Sequence, residues 1–246
     1  MALAGRTVLV TGASAGIGRA ATVALAGAGA KILATGRRKA ELEALKKQCG
    51  GAVETIAGDL NDVHFVGELA NAARDVDIFV NNAGVLKYAP LLDMTDDDCE
   101  SMFRTNVLAS FRITQRMARS MMERRRGHII VMTSIAAREV YRLGVIYCTT
   151  KHALSAYARG LRIELQGHGV KVTEIAPGMV DTDIRDQRSS GRGGGRESQK
   201  VRGAHVGGSR GGGRVRCAGR TQLLSRSHRA ATAKFRLASI CSTRAA

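Results

Sequence analysis

An apolar run that ends in a glycine-punctuated turn and enters a small-residue helix at once leaves few folds open to this chain. Residues 6–11 read as a buried strand centred on Thr7-Val8-Leu9-Val10-Thr11. Gly12-Ala13-Ser14-Ala15-Gly16-Ile17-Gly18 follows, and a helical pattern covers 19–28. Strand, turn and helix in that order form a cradle for a pyrophosphate, because free N–H groups and the positive end of the helix dipole face the anion. Gly12 allows the tight turn, Gly16 lets main chain approach the phosphates, and Gly18 lets helix and strand pack closely. The residues of this turn expected at a dinucleotide are Gly12, Ser14, Gly16, Ile17 and Gly18.

The alternation continues. Strands are expected at 31–35, 53–57, 77–80, 128–133 and 171–176, and helices at 62–74, 95–122 and 146–166. Thr95 is a natural cap before Asp96, Asp97 and Asp98. Leu154, Tyr157, Leu161 and Leu165 lie on one helical stripe. Six strands alternating with helices predict an α/β fold, a three-layer doubly wound parallel sheet of Rossmann type.

The second strand ends at Gly36-Arg37-Arg38. A carboxylate at that place would bind a ribose diol. The two arginines instead suit a 2′-phosphate, which a guanidinium grips as a fork, and this points to NADP(H). Their plainer reading is the solvated start of a helix. Asp59 and Leu60, after the third strand, are both expected at the cofactor, with Asp59 placed to accept from an adenine amino group.

Tyr147 and Lys151 stand four residues apart, which puts them on one helical face, with Ser134 thirteen residues upstream of Tyr147. A phenol with a pKa of about 10 is a poor proton carrier at neutral pH, and a neighbouring cation is expected to lower it. Ser134 would hold the oxygen that exchanges the proton.

In order and spacing, these pieces resemble the short-chain dehydrogenase/reductase family over residues 5–186. Thr11-Gly12-x-x-x-Gly16-x-Gly18 matches its cofactor motif, and Asn81-Asn82-Ala83-Gly84 matches the segment that supports the sheet and lines the adenosine side. Asn106, Ser134, Tyr147 and Lys151 match its catalytic tetrad, and Pro177, Gly178 and Thr182 match its nicotinamide-end segment. The run from Tyr147 to Asp183 resembles bacterial NADP-dependent reductases of small hydroxy acids or aldehydes. The resemblance implies hydride transfer between NADP(H) and a small alcohol or carbonyl compound. Tyr147 would act as acid/base, Ser134 would orient the oxygen, Lys151 would bind the nicotinamide ribose, and Asn106 would hold a water. It also implies a homodimer or homotetramer built through helices 95–122 and 146–166.

Composition divides the chain at about residue 186. Residues 187–246 hold 14 Lys and Arg against one acidic residue, Glu197, so they carry most of the net charge of +17. They have 8 Val, Ile, Leu or Phe among them, too few to build a core against such charge, and are expected to be a disordered basic Gly/Arg-rich tail. The substrate-covering segment and last strand that the family carries here cannot be read, so the sheet is expected to lack that strand and activity to suffer. Two origins stand open. One is a genuine polyanion-binding segment on a non-catalytic protein, for which the single aromatic, Phe235, offers little base stacking. The other, preferred, is out-of-frame translation: read one nucleotide forward, residues 199–218 permit an amphipathic helix. The codons from about residue 187 decide between them.

Five scattered cysteines and six histidines show no metal-ligand spacing, so no metal is expected, and they fit a reducing compartment. Arg124-Arg125-Arg126 suits the carboxyl end of a helix. No secretory signal and no apolar run near 18 residues is present, which gives the expectation of a cytoplasmic, non-membrane protein.

Overall fold

The computed structural model describes residues 2–178. Six strands form one parallel sheet in the order β3-β2-β1-β4-β5-β6. They are β1 (Thr7–Thr11), β2 (Lys31–Gly36), β3 (Val53–Ala57), β4 (Ile78–Asn81), β5 (Gly127–Met132) and β6 (Val170–Ile175). The helices are α1 (Gly16–Gly27), α2 (Lys39–Cys49), α3 (Val63–Ala72), α4 (Asp96–Phe103), α5 (Ser110–Glu123) and α6 (Val145–Glu164). This is the doubly wound Rossmann-type fold expected, with element ends shifted by a few residues. The tail 187–246 and any last strand lie outside the described residues.

Strand period two explains the layers. Leu9, Phe79, Ile129 and Val131 face one core with Phe65 and Leu69 of α3, Ile113, Met117 and Met121 of α5, and Leu161 of α6. Val8, Val10, Ile78, Val80, Ile130 and Met132 face the other with Leu25 of α1 and Leu42 and Leu45 of α2. Each fully buried large side chain contributes roughly 1.5–3 kcal/mol. Consequently the central strands β1 and β4 are buried on both faces.

The strand order reverses between β1 and β4. Side chains and loops at their carboxyl ends therefore diverge around a crevice, the usual ligand position in such sheets. The expected long helix at 95–122 is present from Asp96 to Glu123, and its winding changes once along the way. Thr95 and Asp98 form a reciprocal capping box at the start of α4, and residues Arg104–Ala109 then widen into a π turn before α5. Asn106 sits inside that turn.

His128 is partly buried on β5 with Nε2 2.8 Å from Thr173 Oγ1. Burial, then the charge of Lys171, lowers its pKa to about 4. Between the ordinary value of 6.5 and 4 the unfolded chain binds the extra proton, so stability falls as pH drops through this window. In urea titrations from pH 7 to pH 4, His128→Gln is expected to remove roughly 2 kcal/mol of the pH-dependent loss. An unchanged pH dependence would refute this assignment.

Candidate active site

Thr11 ends β1 and ties it to β4. Its Oγ1 donates to Val80 O (3.3 Å) and accepts from Asn82 N (3.0 Å) and Ala83 N (3.1 Å). Asn82 Nδ2 donates back to Thr11 O at 2.9 Å, and Asn81 at the end of β4 is clamped to Ser110 and Thr114 of α5. These bonds fix the mouth of the crevice. Gly12 turns with φ +67°, and a methyl there would stand 2.9 Å from Ala83 Cα. At Gly18 a methyl would meet Gly12 O at 2.2 Å, so α1 packs against the turn with no room for a side chain. The amino terminus of α1 has no side-chain cap and no acidic residue in its first turn. Its N–H groups stay available to an anion, which fits the pyrophosphate of a dinucleotide. Gly16 opens α1, and Ile17 packs partly buried against the α1–α2 core.

Arg37 and Arg38 are exposed at the carboxyl end of β2, next to this turn. Arg38 Nε donates to Ser14 Oγ at 3.4 Å, and Arg37 lines a hollow with Val85, Leu86 and the ion pair Lys87–Asp98. Neither guanidinium forms a carboxylate salt bridge among the described residues. The Asp59 carboxylate accepts from Asn61 N at 2.9 Å and stays exposed. The Leu60 side chain is in the core, which leaves only its main chain for a ligand.

The tetrad positions converge. Ser134 follows β5 and caps a short turn, its Oγ accepting from Ala136 N at 3.2 Å. That turn is pinned by Ile135 N donating to Pro177 O at 2.8 Å, which brings Pro177 and Gly178 to the same edge. Thr182 lies outside the described residues. Tyr147 and Lys151 share one face of α6, with Lys151 Nζ 5.7 Å from the Tyr147 ring centroid. The lysine is buried and donates to Met132 O at 3.2 Å. Asn106 donates through Nδ2 to Val85 O (2.9 Å) and Thr150 Oγ1 (3.0 Å), and its Oδ1 accepts from Val85 N (2.7 Å). Both amide hydrogens are thus engaged, and one Oδ1 lone pair remains. A methyl at Gly84 would stand 3.1 Å from Asn106 Oδ1 and 3.7 Å from Lys151 Nζ, so the glycine leaves the gap that joins these two groups.

Electrostatics depart from expectation. The Tyr147 phenol is not lowered; it is pushed up to about 12, chiefly by burial, against the downward pull of its hydrogen bond with Ser134. Lys151 is lowered to about 8 by the same burial. Desolvation disfavours both charged forms, and here it outweighs the attraction that their spacing implies.

Thr150 and the Met132 carbonyl were not evident from sequence, and Thr11, already part of the cofactor motif, gave no sign there of its clamp on β4. Threonine in a strand reads as a pleated-surface residue, and a carbonyl carries no sequence signal. Among the described residues no cluster could hold a metal, and no helix is long and apolar enough to cross a membrane.

Residues 6–193 match the family described as short chain dehydrogenase. Serine 3-dehydrogenase of Rhizobium radiobacter is 37% identical over 75% of this chain and 76% of its own length. L-xylulose reductase of Mesocricetus auratus is 36% identical over 75% of each. A solved structure of the closed form of serine dehydrogenase complexed with NADP+ superposes with a TM-score of 0.71 at 34% identity, covering 74% of this chain and 76% of that one. The chain belongs to the short-chain dehydrogenase family, a class of oxidoreductases acting on CH–OH groups.

Proposed function

We propose that this protein interconverts a small alcohol and its carbonyl compound with NADP(H), using Tyr147 as acid/base. The observation that carries the reading is the convergence of Ser134, Tyr147 and Lys151 beside Gly84 and Asn106 at the carboxyl edge of the sheet. The relatives whose names specify serine, L-xylulose and NADP+ support a small hydroxylated substrate and this cofactor.

Gly12, Ser14, Gly16, Ile17 and Gly18 would hold the pyrophosphate end, with Asn82, Ala83 and Gly84 opposite. Asp59 and the main chain of Leu60 would meet the adenine, Arg37 and Arg38 the 2′-phosphate, and Pro177, Gly178 and Thr182 the nicotinamide end. When bound, NADP(H) supplies or accepts the hydride. Ser134 orients the substrate oxygen and Tyr147 moves the proton at that oxygen. A phenol held at about 12 is protonated throughout the neutral range, the state reduction requires of a donor. Lys151, hydrogen-bonded to Met132 O, holds its ammonium beside the ring and stabilises the phenolate left by proton donation. The remaining Oδ1 lone pair of Asn106 is free for a water leading from Lys151.

The cofactor assignment is tested by Arg37→Ala with Arg38→Ala. Charge-assisted bonds of about 1.5–3 kcal/mol each predict a roughly hundredfold fall in the NADPH-over-NADH ratio of kcat/KM. An unchanged ratio would mean that the arginines only begin α2.

A further inference from the structure

Two phenols that this reaction leaves idle stand beside the one it uses. Tyr88 comes from the segment after β4 and Tyr141 from the loop after β5. Their hydroxyls lie 3.4 Å apart, and their ring centroids are 6.0 Å apart with planes tilted by 48°. The surrounding backbone holds this meeting in place. Ala89 N donates to Leu143 O at 3.1 Å, joining the two segments by main chain. Leu143 takes a left-handed φ of 65°, and the Tyr141 ring lies over Gly144, where a methyl would come within 2.2 Å of it. Gly144, under the Tyr141 ring, is the N-cap of α6 and stands less than one helical turn from Tyr147. Burial drives the Tyr141 pKa far above its ordinary value, so its hydroxyl stays neutral.

The hydrogen-bond capacity of this pair is selective. Two phenols bring two O–H donors and free lone pairs. Their mutual bond uses one donor and one acceptor, and either hydroxyl can take either role. One donor and acceptor capacity remain for a third partner. An alkyl group satisfies neither, a carboxylate can only accept, and an alcohol does both.

We propose that Tyr88 and Tyr141 bracket a hydroxyl on the carbon next to the reacting carbonyl, so that this protein favours α-hydroxy aldehydes and ketones in reduction and vicinal diols in oxidation. The bracket rests on Tyr147 being the acid/base and deepens that reading by naming the substrate class. Tyr88 and Tyr141 set specificity, while the proton moves at Tyr147. A substrate without the hydroxyl leaves the remaining donor and acceptor unpaired in a partly buried site, which such sites discriminate against.

The test compares glyceraldehyde with propionaldehyde, which share a chain length, as substrates of the full chain with NADPH. The wild type is expected to favour glyceraldehyde by about tenfold or more in kcat/KM. Tyr88→Phe and Tyr141→Phe are each expected to cut that ratio about tenfold. Ratios measured on one preparation cancel differences in active fraction. A wild-type ratio near one overturns the bracket whatever the variants do. So does a ratio that neither phenylalanine changes. Both outcomes leave the oxidoreductase reading standing, since propionaldehyde is still reduced. Failure to reduce either aldehyde with NADPH would bring down the oxidoreductase reading and the bracket together.

Discussion

Tyr147→Phe is expected to lower kcat by three to four orders of magnitude, with NADPH affinity within a few-fold of wild type. The variant keeps the ring that lies beside Lys151 and loses only the hydroxyl that meets Ser134. Positioned acid/base groups typically contribute 10²–10⁴-fold, and the upper part of that range is expected where the other group at the same oxygen, here Ser134, only orients it. Ser134 cannot substitute, because an unperturbed aliphatic hydroxyl is a far weaker acid than a phenol. The pH profile supplies a second readout. The reductive rate of wild type should fall only as the phenol ionises near 12 or as Lys151 loses its proton near 8, and the residual rate of the variant should lack the phenol limb. Turnover retained within tenfold would refute the assigned chemistry, whatever the fate of the cofactor site.

Gly18→Ala is expected to weaken NADPH binding at least a hundredfold and to lower Tm by about 5–10 °C. The added methyl would stand 2.2 Å from Gly12 O and 2.6 Å from Asn82 Nδ2. Gly12 O is main chain of the phosphate turn, and Asn82 Nδ2 is already bonded to Thr11 O, so neither atom can yield without opening the joint between β1 and β4. Overpacking of this kind costs about 1–3 kcal/mol, and in a domain of this size each kcal/mol shifts Tm by roughly 2–4 °C. Gly27 in the same helix provides the control, since nothing lies within 4 Å of a methyl there. Gly27→Ala should raise stability by up to about 1 kcal/mol through helix propensity. Differential scanning calorimetry and NADPH fluorescence titration read both. Equal behaviour of the two alanines would show that close packing at Gly18 is unimportant.

Much of this was legible from residue order because the signals are local. The continuous apolar runs of β1 and β4 mark strands buried on both faces, and Thr95 with Asp98 announces the start of α4. Tyr147 and Lys151 must share a face at their spacing. The misses depend on what surrounds a residue in space. Spacing alone puts a cation near a phenol, but it does not give the dielectric around them, and the dielectric set the direction of the Tyr147 shift. The clamp of Asn106 on Val85 and Thr150 needs both partners delivered from distant elements. Tyr88 and Tyr141 meet across 53 residues, with no pattern in either segment to foretell it. Leu60 is expected at the cofactor from its place after Asp59, yet its side chain turns into the core.

The π turn at Arg104–Ala109 has a consequence for how this stretch can vary. It accommodates one residue more than a regular helix would. Deleting any one of the six would let the ordinary winding re-form and swing everything on one side by about 100°. Either Met102 would leave the core or Asn106 would lose its grip on Val85 and Thr150. The count of residues here therefore matters as much as the identity of Asn106. A gap of one residue here would disassemble the mouth of the crevice, whereas exchanges of outward side chains would leave the winding intact.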